Sequence, residues 1–414
     1  MAHLLSAPSR AVGLALVLCV LPGGAWAEET SVAAPEPGPV ASASDVPRLA
    51  PEAPEALAAT PGPEVSQGFV RVEPPSASLL AAQPRPDFRV LPVVASVVPG
   101  LLFHGLGPLA AGDTRTAGRL FAMEGAGLGL LISSGIPIFL TGASRRVIGP
   151  LYAVALAGGS LFSISALANI YSAVSPAFDP GVPASSLPPL ELDFGYQYVS
   201  DPNFDYGHFV ALGATARLDA VKLQATTRFA MDEGNARVWL GGAYRLLGAP
   251  ERARGGEDGT AVDVEVGAVY HRFPTEGFLV TGGELGVRGR YAMARMSPRL
   301  EGSFAEASVG LAFQGYRFFG PVSEDALHQQ LLFTFAYGVY LGRGGPLKGE
   351  ALLYYDHRKD DYAGGIKGGA GVLGHFGLRG RMLLSERWGV SADVQAGSAY
   401  VARLSAVYAL GGEP

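Results

Sequence analysis

From Leu190 onward, apolar and polar residues alternate with period two, in segments of about ten residues separated by turn-forming residues. Such a segment is a strand with one apolar and one polar face, so each must meet an apolar medium on one side and a polar one on the other. Leu190, Leu192, Phe194, Tyr196 and Tyr198 alternate with Glu191, Asp193, Gly195 and Gln197. Val221, Leu223 and Phe229 oppose Lys222, Gln224, Thr226 and Arg228, and Val262, Val264, Val266 and Tyr270 oppose Asp263, Glu265, Gly267 and His271. Leu331, Phe333, Phe335, Tyr337, Val339 and Leu341 make one continuous apolar stripe.

Two architectures satisfy strands of this kind. In a soluble sandwich the apolar faces pack on one another; in a transmembrane barrel they face lipid and the polar faces line a lumen. The polar faces here mix both signs of charge, glycine is dense enough to ease strand curvature, and Trp239, Trp388, Tyr291, Tyr316, Tyr355 and Tyr408 lie near segment ends as in an interfacial girdle. These features favour a barrel, which also closes every backbone hydrogen bond. Strand centres are expected near residues 194, 213, 226, 241, 266, 285, 308, 336, 353, 376, 392 and 404, giving about twelve antiparallel strands over residues 189–414. Connections such as Asp219-Ala220 and Ser385-Glu386-Arg387 are short, whereas Gly248 to Thr260 is long for a turn at the end where the strand region begins. In pattern this region resembles the bacterial outer-membrane β-barrel proteins of porin-like type. That resemblance implies a channel, anchor or assembly role in an outer membrane, with the lipid bilayer as partner.

Only 16% of residues are charged, against about 25% in ordinary soluble domains, and mean hydropathy is +0.24 with 57 Gly and 31 Pro. A formal charge of -6 without a basic stripe argues against nucleic acid. The single cysteine, Cys19, falls within a leader, which sets aside disulfides, thiolate zinc sites and cysteine nucleophiles.

Residues 1–27 read as a secretory signal, with Arg10 before the apolar run Ala11 to Leu21 and Ala25-Trp26-Ala27 as a small-x-small cleavage site. Leu18 before Cys19 does not suit lipidation. Residues 28–92 are rich in proline, alanine and serine and read as a disordered tether. This amino-terminal region is where periplasmic or envelope-complex proteins would be met. Residues 93–178 form an apolar helical region. Ala117 to Gly142 and Val147 to Val174 each exceed the roughly 20 helical residues that cross a bilayer. Gly135 and Pro137 interrupt the first, and Arg145-Arg146 forms a positive turn between them. Gly125, Gly127 and Gly129 in one, and Gly158, Gly159 and Ser160 in the other, would let the helices approach closely. The hairpin could lie in an inner membrane or be buried against another part of the chain. The stretch from Val98-Pro99-Gly100 through His104-Gly105 to Gly112-Asp113 resembles a Pro-Gly-x-Gly then Gly-Asp pattern of bacterial envelope proteins with short helical hairpins. His104 and Asp113 there read as a satisfied polar group and a helix N-cap.

The lumen-lining candidates are the charges on the polar strand faces: Lys222, Arg228, Arg237, Arg245, Asp263, Glu265, Glu284, Arg288, Arg290, Glu350, Asp356, Arg379, Arg381 and Arg403, with Glu191, Asp193, Glu301 and Asp393 beside them. Opposite charges across a narrow pore make a weakly selective path for small polar solutes; alternatively the side chains pair and fill it. His208, His271 and His357, near Asp205, Glu276 and Asp356, lack a serine in a recognisable hydrolase motif, so no enzyme is expected. Asp356-His357 with Asp360-Asp361 reads as a solvated loop rather than a metal site, and no cofactor is implied.

Three functions remain open: a narrow outer-membrane channel, a non-conducting barrel that anchors an envelope complex, and an inner-membrane hairpin carrying a periplasmic sandwich. A closed barrel predicts that purified residues 185–414, with or without residues 28–184, run faster on a gel when left unboiled. A sandwich predicts no such shift.

Overall fold

The computed structural model describes residues 90–141, 145–174, 187–202, 207–232, 234–251, 258–274, 278–317, 326–341, 348–358, 361–364, 366–368 and 371–411. The leader, Cys19, the tether up to residue 89, Asp205, Glu276 and Asp360 lie outside these residues.

Each alternating segment forms a strand. In order they are β1 (Leu190–Ser200), β2 (His208–Leu218), β3 (Val221–Ala230), β4 (Ala236–Leu247), β5 (Ala261–Arg272), β6 (Leu279–Ala292), β7 (Ser303–Arg317), β8 (Ala326–Leu341) and β9 (Lys348–Asp356). A two-stranded ribbon follows, β10 (Ile366–Gly368) with β11 (Gly371–Leu373), then β12 (His375–Leu383), β13 (Trp388–Ala396) and β14 (Tyr400–Leu410). All but β10 and β11 form one closed antiparallel barrel in sequential order. It closes where β1 meets β14 in unbroken register from Leu190↔Leu410 to Ser200↔Tyr400. Closure rules out the sandwich for these strands, because all twelve pair into one ring, and among the described residues only the three-residue strands of the β10–β11 ribbon remain outside it.

The period-two pattern sets which face turns out. Phe194 is 65% exposed, Leu285 56% and Leu404 64%, whereas their polar strand-mates Glu191, Gln197 and Ser405 are buried. Inward-facing glycines make room for inward-facing aromatics: the ring of Trp239 lies against Gly241, Phe304 against Gly338 and Tyr354 against Gly377. We call the end where β1 begins and β14 finishes the near end, and the opposite one the far end. Near-end turns include Asp219-Ala220, where Asp219 takes a positive φ of 48°, as short polar side chains tolerate.

Among the described residues four helices precede the barrel: α1 (Val90–Val97), α2 (Leu106–Ala110), α3 (Thr114–Thr141) and α4 (Arg145–Val174). Asp113 caps α3, accepting from the Thr116 N–H at 3.0 Å and from the Thr116 hydroxyl. Pro137 does not interrupt α3, which runs through it, as α4 runs through Pro150. The two long helices touch backbone to backbone at Gly127 and Gly158, where an added Cβ would come within 2.9 Å of the opposite glycine's carbonyl oxygen. Gly125 and Gly129 face open space instead.

The hairpin lies in neither a separate membrane nor the lumen; it packs on the outside of the barrel. Tyr337, Phe333 and Tyr355 occupy outward-facing positions, yet they are 6%, 9% and 5% exposed. Leu120 of α3 and Ile164 and Ala168 of α4 cover this side, in one cluster with Tyr337, Met293 and Leu300. Lipid is as apolar as leucine, so helices in it are held by close packing and polar pairs rather than by expulsion of water. Such pairs gather at the near end, in the β6–β7 connection. Thr116 Oγ1 meets Ser297 Oγ at 2.5 Å, Arg119 donates to the Met296 carbonyl, Arg299 pairs with Asp113 at 3.0 Å, and Tyr171 donates to the Glu301 carbonyl at 2.7 Å. Glu301, expected among the interior acids, thus sits in a turn before β7 rather than on a strand. Toward the far end, the Tyr152 and His357 rings lie 5.2 Å apart.

The segment from α1 to α2 is pinned by one side chain. Asn169 accepts from the N–H groups of Gly105 and Gly107 at 3.1 and 3.0 Å and donates to the carbonyls of Ser96 and Gly100 at 3.0 and 3.2 Å. A Cβ at Gly100 would lie 2.5 Å from its amide nitrogen, which explains the glycine spacing of this stretch. Each buried backbone group left unpaired costs about 1–3 kcal/mol. Asn169→Ala is therefore expected to weaken the hairpin by about 3 kcal/mol or more. In circular dichroism the helical signal should melt at lower temperature, while the heat-modifiable barrel band persists.

Candidate functional site: the lumen and its two ends

The candidate site is the polar interior, which falls into three tiers. At the near end, Glu251, four residues after β4, lies among three cations. Its carboxylate lies 2.9 Å from Lys222, 2.8 Å from Arg217 and 3.5 Å from Arg245. Arg245 also holds Asp263 at 2.7 Å, and Arg217 holds Glu191 at 3.0 Å. Burial pushes the Glu251 carboxyl up, and Lys222 and Arg217 outweigh it, holding it well below the usual carboxylate range.

The middle tier is built from strand residues alone. Arg288 pairs with Glu265 at 2.9 Å, Arg290 with Glu306 and with Glu350 at 2.9 Å, and Arg379 with Asp393 at 3.0 Å. Arg403 approaches Asp393 at 3.8 Å, and Arg381 pairs with Glu191. Some of these are chords: Arg290 on β6 reaches β9, and Arg381 on β12 reaches β1, each passing two intervening strands. Open space remains beside them. The side chains of Arg379 and Arg288, both inward-facing, are 46% and 38% exposed, and Glu350 is 32% exposed.

At the far end residues 361–364, after β9, lie in the mouth. Asp361 lies 3.0 Å from Arg228 and 3.1 Å from Arg237. Tyr362 and Ala363 are buried with Phe209, Val199, Ala399 and Val401, and Tyr362 donates to Asn235 Oδ1 at 3.3 Å. The Ala363 carbonyl accepts from the Ala399 N–H at 3.2 Å and from the Ser398 hydroxyl at 2.8 Å. Arg358 binds Glu284, to which Trp239 also donates at 3.2 Å. Burial pushes Asp361 up, and Arg237 and Arg228 outweigh it, holding its carboxyl well below the usual range.

The sequence candidates therefore distribute over all three tiers. Lys222, Arg245 and Asp263 surround Glu251; Glu265, Arg288, Arg290, Glu350, Arg379, Arg381 and Arg403 make the middle; and Arg228, Arg237 and Glu284 meet the far-end loop. Asp356, at the end of β9, accepts from the Arg358 N–H at 2.9 Å. Asp361, read from sequence as part of a solvated loop, is instead paired inside the barrel, because two arginines on adjacent strands face it. Sequence reasoning missed Glu251, Asp361 and Tyr362 as interior groups; the only signal was the unusual length of the Gly248–Thr260 connection. Arg217 and Glu306 stand on polar strand positions that the alternation itself marks.

The histidines near strand ends meet groups other than serine. His208 meets Tyr196, His271 meets Asn235 Oδ1 at 3.0 Å, and His357 meets the Tyr355 hydroxyl at 3.0 Å. A serine and a histidine do meet where the segment between α1 and α2 packs on α4, Ser165 Oγ lying 2.6 Å from His104 Nδ1, but both are fully buried. Among the described residues no cluster of three metal-ligating side chains comes together.

No family model matches the chain, and no curated protein matches it. Among solved structures it is similar to the KdgM porin, at 10% identity and TM-score 0.33, over 53% of this chain and 99% of that one. Omp33 of Acinetobacter baumannii shares 10% identity at TM-score 0.28, over 54% and 98%. The translocator domain of the autotransporter NalP from Neisseria meningitidis shares 11% at TM-score 0.30, over 53% and 88%. All lie below 0.5, so the closed barrel of this chain rests on its own strand pairing.

A carboxylate whose pKa is depressed in its paired state contributes above its free value and loses that contribution as pH falls through the paired one. For Asp361 that window opens below its ordinary value of 3.8. The far-end loop should therefore stay protected from protease from neutral pH down to about pH 4 and become cleavable only at more acid pH. Asp361→Asn should expose it at neutral pH, since removing one partner of a buried pair costs about 3 kcal/mol or more.

Proposed function

We propose that this chain is an integral outer-membrane barrel that passes small polar solutes along a narrow, water-filled lumen, with the Glu251 and Asp361 segments narrowing its two ends. A closed barrel with an apolar exterior suits a bilayer. A leader at residues 1–27 would export it, and the tether read from the sequence would lie in the periplasm up to residue 89, after which helix α1 begins. The near end then faces the periplasm, where the amino-terminal region joins the barrel.

One observation carries the channel reading: Arg288 and Arg379 are more than a third exposed although they point into the barrel. A lumen filled by its own side chains would leave them dry. Both signs of charge line the path, which favours small polar solutes with weak charge selectivity. The density of ion pairs at both ends favours the competing reading, a non-conducting barrel that anchors an envelope complex.

Planar-bilayer conductance separates the two. The wild-type protein should give small, steady channels, and Glu251→Gln combined with Asp361→Asn should raise the single-channel conductance several-fold. No current from either protein across a range of salts would exclude the channel and leave the anchor.

A further inference from the structure

The stretch Val90–Ala111 is built inside out. Its small and polar residues, Ser96, Gly100, His104, Gly105 and Gly107, are buried, while its large apolar ones face outward. Val98 is 72% exposed, Phe103 58%, Leu102 54% and Leu101 50%. From Val90 to Gly112 the only titratable side chain is His104, which is fully buried.

Its depth follows from the helices it packs on. The near-end rim is marked by Thr116, Arg119 and Tyr171, which bond the β6–β7 connection. His104 is held beyond that rim, its N–H donating to Glu124 at 2.8 Å and its ring meeting Ser165 at 2.6 Å. Glu124 lies five residues past Arg119 and Ser165 six residues from Tyr171, which at about 1.5 Å per helical residue is roughly 8 to 9 Å. The bend at Leu101–His104 thus rises alongside the hairpin by less than one leaflet, about half of a 30 Å hydrocarbon layer.

The backbone is treated accordingly. Irregular chain at membrane depth is tolerated only where protein satisfies its polar groups. Here Asn169 serves Ser96, Gly100, Gly105 and Gly107, and Glu124 serves His104. The outward apolar face continues onto Leu128, Ile132 and Ile136 of α3, which are also exposed.

We propose that Val90–Ala111 is a re-entrant segment embedded in the leaflet at the near end of the barrel, with phospholipid acyl chains covering its apolar face. The chain then enters and leaves this leaflet on one side, so the residues before Val90 stay on the side of the near end. The proposal rests on the reading of the barrel as membrane-spanning, and the test separates the two.

Single-cysteine variants Leu102→Cys and Val98→Cys, each with Cys19→Ser in the full chain, are labelled with bimane. They are reconstituted in phosphatidylethanolamine–phosphatidylglycerol vesicles containing either acyl-chain-nitroxide lipid or aqueous iodide. Leu285→Cys on the barrel exterior serves as the lipid control and Glu386→Cys in a near-end turn as the water control, and a heat-modifiable band confirms folding of each. Strong quenching of positions 102 and 98 by nitroxide lipid, at the level of position 285, with iodide without effect, is the expected result. Quenching by iodide at the level of position 386 would overturn the proposal, as would shielding from both quenchers, which would mean a protein cover from a second copy or from residues 1–89. Absence of lipid quenching at position 285 would overturn the membrane reading of the barrel and this proposal together.

Discussion

The pairing of β1 with β14 turns a string of two-faced strands into a molecule, because it leaves no edge among the barrel strands. An edge strand carries a row of unpaired N–H and C=O groups, which lipid cannot satisfy. Once the ring is closed, one face of every strand turns out and the other turns in; here most apolar positions take the outer face and the charged ones the inner, with a few aromatics such as Trp239, Phe304 and Tyr354 inside against glycines. The interior ion pairs and the exterior helices follow from that division.

The exterior of this barrel is not uniform. On most strands the outward residues are half exposed, but on β8 Tyr337 packs with Leu120 of α3 and Ile164 and Ala168 of α4, and on β9 Tyr355 meets Tyr152 of α4. In a bilayer, lipid would supply no hydrophobic drive between them, so the attachment would depend on shape and on polar pairs at the rim. The close crossing at Gly127 and Gly158 makes the hairpin thin. The bonds from Thr116, Arg119 and Tyr171 to the β6–β7 connection set its height.

Inside, charge is handled by pairing rather than by removal. A lone buried ion costs several kcal/mol, and a pair recovers that only with good geometry and further hydrogen bonds. Asp393 illustrates the solution, receiving Arg379, Arg403 and the Tyr354 hydroxyl at 2.8 Å. Glu251 and Asp361 repeat it with loop carboxylates, and this ties each end of the lumen to the wall by electrostatics. Removing a loop carboxylate would leave cations of neighbouring strands, Arg228 and Arg237 at one end and Arg217, Lys222 and Arg245 at the other, close together without it, so the loops and the wall depend on each other.

Strand number, strand centres and the sign of each face were legible in the sequence, because period two is a local property and each segment carries it independently. Which charges share the polar strand face, from Lys222 to Arg403, follows from alternation alone for the same reason. Partners are a different matter. Which acid meets which arginine depends on strands far apart in the chain, and nothing local in Glu251, Asp361 or Asn169 distinguishes them from ordinary loop or helix residues. The helices were readable as long apolar runs, but hydropathy does not tell a lipid tail from the side of a barrel: both are apolar, and only the three-dimensional placement of Tyr337 and Glu301 against Leu120 and Tyr171 decides it.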